Sequence, residues 1–120
     1  MPMTALIATV GVGKGTWGTV RQLIDSAEWT SIFIIAQEFA AQKFSAGKNF
    51  EFILIKEEQS LPEMTEAIRK QLEGKIQDLE VALNMESGSG KEHMAAMAAL
   101  MKLGVGIRQV TSEKDRLQEL

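Results

Sequence analysis

The chain contains no cysteine and no tyrosine, only two prolines and a single histidine among its 120 residues. Without cysteine it can form no disulfide framework, thiolate zinc site, iron–sulfur cluster or cysteine nucleophile, and a reducing compartment suits it. His93 alone cannot build a histidine-based metal cluster, and Asp78 and the glutamates show no ligand spacing. Neither a metal nor a cofactor is therefore expected. The sequence also lacks an apolar run of the roughly 20 residues needed to span a bilayer. Its N-terminal run is broken at Gly11, and no basic leader precedes it. The expectation is a cytoplasmic protein with no membrane partner. Basic charge is in deficit as well, with 13 Lys and Arg against 16 Asp and Glu for a net charge of −3. That removes the electrostatic footprint of a protein gripping duplex DNA, so any nucleic-acid ligand must be small or held locally.

What is present is the make-up of a folded domain. Apolar residues supply 45% and charged residues 24% of the chain, which excludes disordered and collagen-like readings. A chain of this length makes one domain, expected over residues 1–120, that hides roughly two-thirds of its unfolded surface. Periodicity alternates between strands and helices. Thr4 to Val10 is a continuous apolar run of the kind that both-sided burial in a parallel sheet produces. Similar strands are predicted over 31–35, 50–55, 79–84 and 106–110, and 116–120 is either a short antiparallel sixth strand or a frayed tail. Helices are predicted over 17–26, over 37–46 with Gly47 as its cap, over 61–73 behind the capping-box pair Ser60 and Glu63, and over 91–103. This alternation predicts a Rossmann-like three-layer α/β sandwich with a mostly parallel sheet of five to six strands.

In a doubly wound sheet the first and fourth strands are neighbours, and ligands sit outside their carboxyl ends. In this chain both strands run into glycine-rich loops, Gly11-Val12-Gly13-Lys14-Gly15 and Glu86-Ser87-Gly88-Ser89-Gly90, each followed by a helix. Glycines at 11, 13, 15, 88 and 90 let a phosphate approach the backbone, Thr9, Thr16, Ser87 and Ser89 offer hydroxyls, and Lys14 and Lys91 offer charge. The alternative is that these glycines only make tight turns. Neither loop is a Walker A motif, because Ala8 and Met85 stand where its first glycine belongs and Gly15 and Glu92 follow the lysines. Gly13-x-Gly15-x-x-Gly18 with Glu38 further on matches the dinucleotide fingerprint, though the chain has no room for a substrate domain. Trp17 either stacks on a base or anchors the first helix. His93 is either a base near a phosphate or a packing residue. Met94, Met97 and Met101 read as core or dimer packing, and the charge run 56–58 and the tail 112–120 read as solvated edges.

Val10-Gly11 and the run Asn84-Met85-Glu86-Ser87-Gly88-Ser89-Gly90-Lys91-Glu92-His93-Met94, with the alanine-rich helix after it, resemble the two ligand-facing motifs of CRISPR-associated Rossmann-fold (CARF) domains. The family's second motif reads Asn-x-Thr-Gly-Gly-Thr-Lys-x-Met. Here the glycine and hydroxyl order differs and Met94 falls one residue late, while Asn84, Ser87, Gly88 and Lys91 occupy motif positions. The resemblance implies an antiviral-defence homodimer whose joined crevices hold a cyclic oligoadenylate messenger. Some members are metal-independent ring nucleases. In that case Lys91 would stabilise developing charge, Ser87 or Ser89 would align the phosphate, and Lys14 and Thr16 would assist. The binding set is then Gly11, Gly13, Lys14, Gly15, Thr16, Trp17, Asn84, Gly88 and Gly90. Regulators and RNases of the family append a winged-helix or HEPN domain; the sequence ends at Leu120 without one, which fits a stand-alone binder, a ring nuclease or a fragment. A generic mononucleotide or dinucleotide binder, and an interaction protein with no small ligand, are the alternatives.

Overall fold

The computed structural model describes residues 4–120. Strand β1 (Ala5–Val10) is buried along its whole length, as a central strand covered on both faces must be. It pairs in parallel with β2 (Ser31–Gln37) on one side and with β4 (Glu80–Asn84) on the other, Ala5 standing opposite both Ser31 and Val81. Strand β3 (Glu51–Ile55) extends the sheet beyond β2, β5 (Gly106–Glu113) extends it beyond β4, and β6 (Arg116–Glu119) closes it antiparallel to β5. The order is β3-β2-β1-β4-β5-β6, so winding reverses between β1 and β4.

Side chains alternate between two cores, following the period of two that a pleated strand imposes. Ala5, Ile7, Phe33, Ile35, Ile53 and Leu83 pack against α3 (Leu61–Leu72) and α4 (Gly90–Leu103). Leu6, Ala8, Val10, Ile34 and Ala36 pack against α1 (Trp17–Asp25) and α2 (Glu38–Lys43). The result is the three-layer, Rossmann-like sandwich that the alternation predicts. The α4 face against the sheet is built of Ala95, Ala96, Ala99 and Leu100, all buried, and these small residues let the helix lie close. Ser60 and Glu63 do form the predicted capping box on α3. Strand β3 is an edge, and Gln71 covers part of it: its amide oxygen accepts from Leu54 N at 2.9 Å and its nitrogen donates to Leu54 O at 2.7 Å. A side chain thus occupies backbone groups that would otherwise template another strand. Among the described residues no helix is long and apolar enough to cross a membrane.

One expectation needs correction. The second helix ends at Lys43, not Ala46, and Gly47 does not cap it. Phe44 takes an extended backbone (φ −79°, ψ 133°) because its ring leaves the helix for the core, edge-on to Trp17 at 5.9 Å and to Phe50 at 5.7 Å. Tertiary packing of one aromatic outweighs the few tenths of a kcal/mol per residue that separate ordinary helix propensities. The tail takes the first of its two predicted forms, a short antiparallel sixth strand, and is largely exposed. Residues 106–113 and 116–119 form a hairpin whose two loop residues, Lys114 and Asp115, both have positive φ (51° and 62°). That is the backbone a two-residue primed turn demands, carried here without the usual glycine or asparagine signal.

Because Phe44 is buried between Trp17 and Phe50, Phe44→Ala should destabilise the domain by about 3–5 kcal/mol. Urea unfolding followed by circular dichroism would measure this, and a loss below 1 kcal/mol (~) would show that the ring does not hold α1 and α2 to the sheet.

Candidate functional site

Strands β1 and β4 end side by side at Val10 and Asn84, and the loops leaving them touch through their backbones. A Cβ on Gly11 would lie 2.8 Å from both Cα and N of Gly88, so only glycine allows this approach. Gly88 itself has φ +99°, a conformation L side chains rarely adopt. Side chains tie the contact together. The Gly11 amide donates to Ser87 Oγ at 2.8 Å, and the Gly11 carbonyl accepts from the Trp17 indole at 2.8 Å. The Ser87 carbonyl accepts from the Thr9 hydroxyl and lies 2.8 Å from His93 Nε2. A carbonyl can only accept, so Nε2 is the donor in this contact.

The joined loops wall a crevice of about 610 Å³, within the rough 300–1,000 Å³ range of small-molecule sites. Gly11, Val12, Gly13 and Thr16 line one side, Gly88, Ser89 and Lys91 the other, with Gln37, Glu57, Met64, Glu86 and Glu92 completing the walls. The two glycine turns, far apart along the chain, therefore face one space. The predicted site residues divide within it. Gly11, Gly13, Thr16, Gly88, Ser89 and Lys91 border the crevice. Ser87 is 1% exposed with its hydroxyl oxygen accepting from Gly11 N, and it serves to bind one loop to the other. Asn84 is buried, donating to Glu86 and to the Val110 carbonyl, both at 2.8 Å, and so holds the second loop to β5. Of the two readings of Trp17 the structure carries the anchor: the indole is 3% exposed beneath the first loop. Lys14 lies over its ring, 5.8 Å from the centroid, outside the crevice. Gly15 is exposed, and Gly90 opens α4. His93 packs on Ser87 O and borders a neighbouring cavity rather than the crevice, as the packing reading requires.

The dinucleotide fingerprint does not fit. Its third glycine should pack helix on strand, but a Cβ on Gly18 would have nothing within 4 Å, and Glu38 borders not the crevice but an adjoining cavity with Phe39 and Lys56. The side chain at the end of β2 that reaches the crevice is Gln37, which donates to Glu92 Oε2 at 3.0 Å. Glu92 and Gln37 are the residues sequence reasoning passed over. Ser89 and Glu92 have the same capping-box spacing as Ser60 and Glu63, and the structure forms that box: Ser89 N donates to Glu92 Oε1 at 2.7 Å and Glu92 N to Ser89 Oγ at 3.4 Å. Lys91 stretches the other way, donating to the Glu57 carbonyl at 3.0 Å across the mouth. Its charge also acts on Glu63, whose carboxyl is held below the usual range first by the Ser60 backbone amide, then by the Ser60 hydroxyl, and more weakly by Lys91.

No family model and no curated protein matches this chain. Solved structures do. Protein VC1899 from Vibrio cholerae superposes with a TM-score of 0.66 at 16% identity over 97% of this chain. Enterococcus italicus Csm6 bound to cyclic hexa-2′-fluoro-hexa-dAMP superposes with a TM-score of 0.64 at 12% identity over 94% of it. At such identities the likeness is one of fold. The chain spans about a third of each of those structures, 33% and 34%.

The backbone contact makes a paired prediction. Gly11→Ala should destabilise the protein by about 1–3 kcal/mol, the usual cost of forcing extra volume into a packed place, whereas Gly13→Ala meets nothing within 4 Å and should leave the melting temperature unchanged. Equal melting temperatures for the two variants would show that the loops do not touch in solution.

Proposed function

We propose that this chain is a CARF-type nucleotide sensor that binds a cyclic oligoadenylate in the crevice between its two glycine turns, with two copies joining their crevices into one pocket. The observation that carries the reading is the contact of Gly11 with Gly88, which turns two separate loops into a single cleft at the winding reversal of the sheet. Support comes from the motif resemblance through Asn84, Gly88 and Lys91, and from the shared fold of a Csm6 protein that was solved with a cyclic adenylate analogue.

Within this reading the residues have distinct tasks. Lys91 is the cation at the mouth, and its release from the Glu57 carbonyl would let it meet a phosphate. Thr16 and Ser89 offer hydroxyls, and Val12 and Gly13 line the same space. Asn84, Ser87 and Trp17 hold the loops in place rather than touching ligand. Ring cleavage would need a ribose 2′-hydroxyl to attack the adjoining phosphorus, expelling the 5′-oxygen and leaving a 2′,3′-cyclic phosphate. Of the candidate catalytic groups only Lys91 carries positive charge, and it must first leave the Glu57 carbonyl, while the Ser87 and Ser89 hydroxyls are held by the backbone N–H bonds they accept. Binding is therefore the better-supported activity. The dimer is carried by α4, where Met94 and Met101 are 61% and 69% exposed and, seven residues apart, lie on one face.

Thermal denaturation with cyclic tetra- and hexa-adenylate tests the ligand. Saturation at a hundredfold excess over Kd should stabilise the fold by about 2.7 kcal/mol, Lys91→Ala should weaken binding about tenfold or more, and an unmoved melting curve at millimolar ligand would end the proposal. For the dimer, sedimentation of the double variant Met94→Glu, Met101→Glu should give a monomer where the parent chain gives a dimer. A monomeric parent, or a variant that still dimerises, would remove α4 as the interface.

A further inference from the structure

The crevice is less friendly to phosphate than its glycines suggest. Among the described residues three glutamates border it, Glu57, Glu86 and Glu92, against one lysine, Lys91. Glu92 is the most constrained of them. It is 5% exposed, yet it forms part of the crevice wall. Its Oε1 accepts from Ser89 N and its Oε2 from Gln37, and none of the salt bridges among the described residues involves it. The first turn of α4, where an anion would otherwise settle, is thus already filled by the protein's own carboxylate. A Cβ at Gly88 would lie 2.7 Å from Glu92 Oε1, so the carboxylate is pressed against the turn and has little space to swing away.

An ionised carboxylate offers about four acceptor positions, and Ser89 and Gln37 fill one on each oxygen. Gln37 spends one amide hydrogen on Glu92 and keeps a carbonyl acceptor and a second hydrogen. The pair therefore presents mostly acceptors to the crevice. We propose, resting on the nucleotide reading above, that Glu92 and Gln37 are the specificity-determining pair of this site: they accept hydrogen bonds from N–H or O–H donors of a nucleoside and keep phosphate off the first turn of α4. The donors that fit are an exocyclic amine of a base or a ribose hydroxyl. Phosphates are then confined to the opposite side, beside Gly13 and Thr16, and to the mouth at Lys91.

Glu92→Gln is the informative variant, because glutamine still completes a capping box while replacing a charged acceptor with a donor. The intact protein, Glu92→Gln and Gln37→Ala, each checked for unchanged melting, are titrated by calorimetry with four probes: cyclic hexa-adenylate, its inosine counterpart lacking the amine, its 2′-deoxy counterpart lacking the hydroxyl, and inorganic pyrophosphate. The parent chain should lose about tenfold or more in affinity for whichever analogue lacks the donor that Glu92 reads, which separates amine from hydroxyl. Glu92→Gln should erase that discrimination and bind pyrophosphate about tenfold more tightly. Gln37→Ala, which leaves the cap alone, should reduce the discrimination without the gain in pyrophosphate binding. Parent-like affinity for both analogues, or unchanged affinities in Glu92→Gln, overturns the pairing. If no cyclic adenylate binds the parent chain, the sensor reading fails, and pyrophosphate alone then decides the pair: a gain in Glu92→Gln sustains it and no gain sinks it.

Discussion

The closest approach on which this molecule depends is that of two peptide backbones, at Gly11 and Gly88, where Gly88 leaves no room for a side chain on Gly11 and the Glu92 carboxylate leaves none on Gly88. Adjacent parallel strands are about 4.8 Å apart, so chains leaving β1 and β4 in the same direction must either diverge at once or touch. Here they touch. The polar groups exposed by that contact are matched by Ser87, Trp17, Thr9 and His93, whose side chains bond to Gly11 and Ser87 backbone atoms. Burial without such partners would cost each group about 1–3 kcal/mol. The crevice above the contact consequently has walls of fixed backbone, which is what a binding site needs to avoid ordering itself at the ligand's expense.

That geometry also separates residues that hold the loops from residues that face the crevice. Ser87, Asn84 and Trp17 are spent on support, while Lys91, Ser89 and Thr16 border open space. The electrostatics follow the same division. A helix N terminus attracts anions, but α4 answers its own dipole with Glu92 in a capping box, and α3 does the same with Glu63. A crevice lined by three glutamates and one lysine gains little from net charge, and a ligand there would be recognised through directed hydrogen bonds. This is a different chemistry from a P-loop, in which the backbone amides stay open for phosphate.

Strand and helix order were legible in the sequence because the signals were local. The run Ala5–Val10, apolar but for Thr9, leaves no polar face to show to water, and capping residues stand three positions apart at Ser60 and Glu63. The strand order followed from handedness and the winding reversal, and so did the placing of both glycine turns on one rim. Less legible were features set by partners distant in the chain. Phe44 ended α2 early because Trp17 and Phe50 offered its ring a place, and the Lys114-Asp115 turn carried no glycine to announce it.

Periodicity and turn chemistry, which act between residues a few positions apart, determined that this chain is a parallel α/β sandwich with two glycine turns beside one another. Which side chains would face the space between those turns lay beyond their reach. Gln37 and Glu92 are 55 positions apart, and Ser87 and Gly11 are 76 apart. Whether a hydroxyl bonds to a ligand or to the neighbouring loop depends on distances that exist only after the sheet has formed. The tertiary structure assigned Ser87 and Trp17 to support and Glu92 to the crevice wall, because a buried polar group must pair with whatever lies within about 3 Å of it.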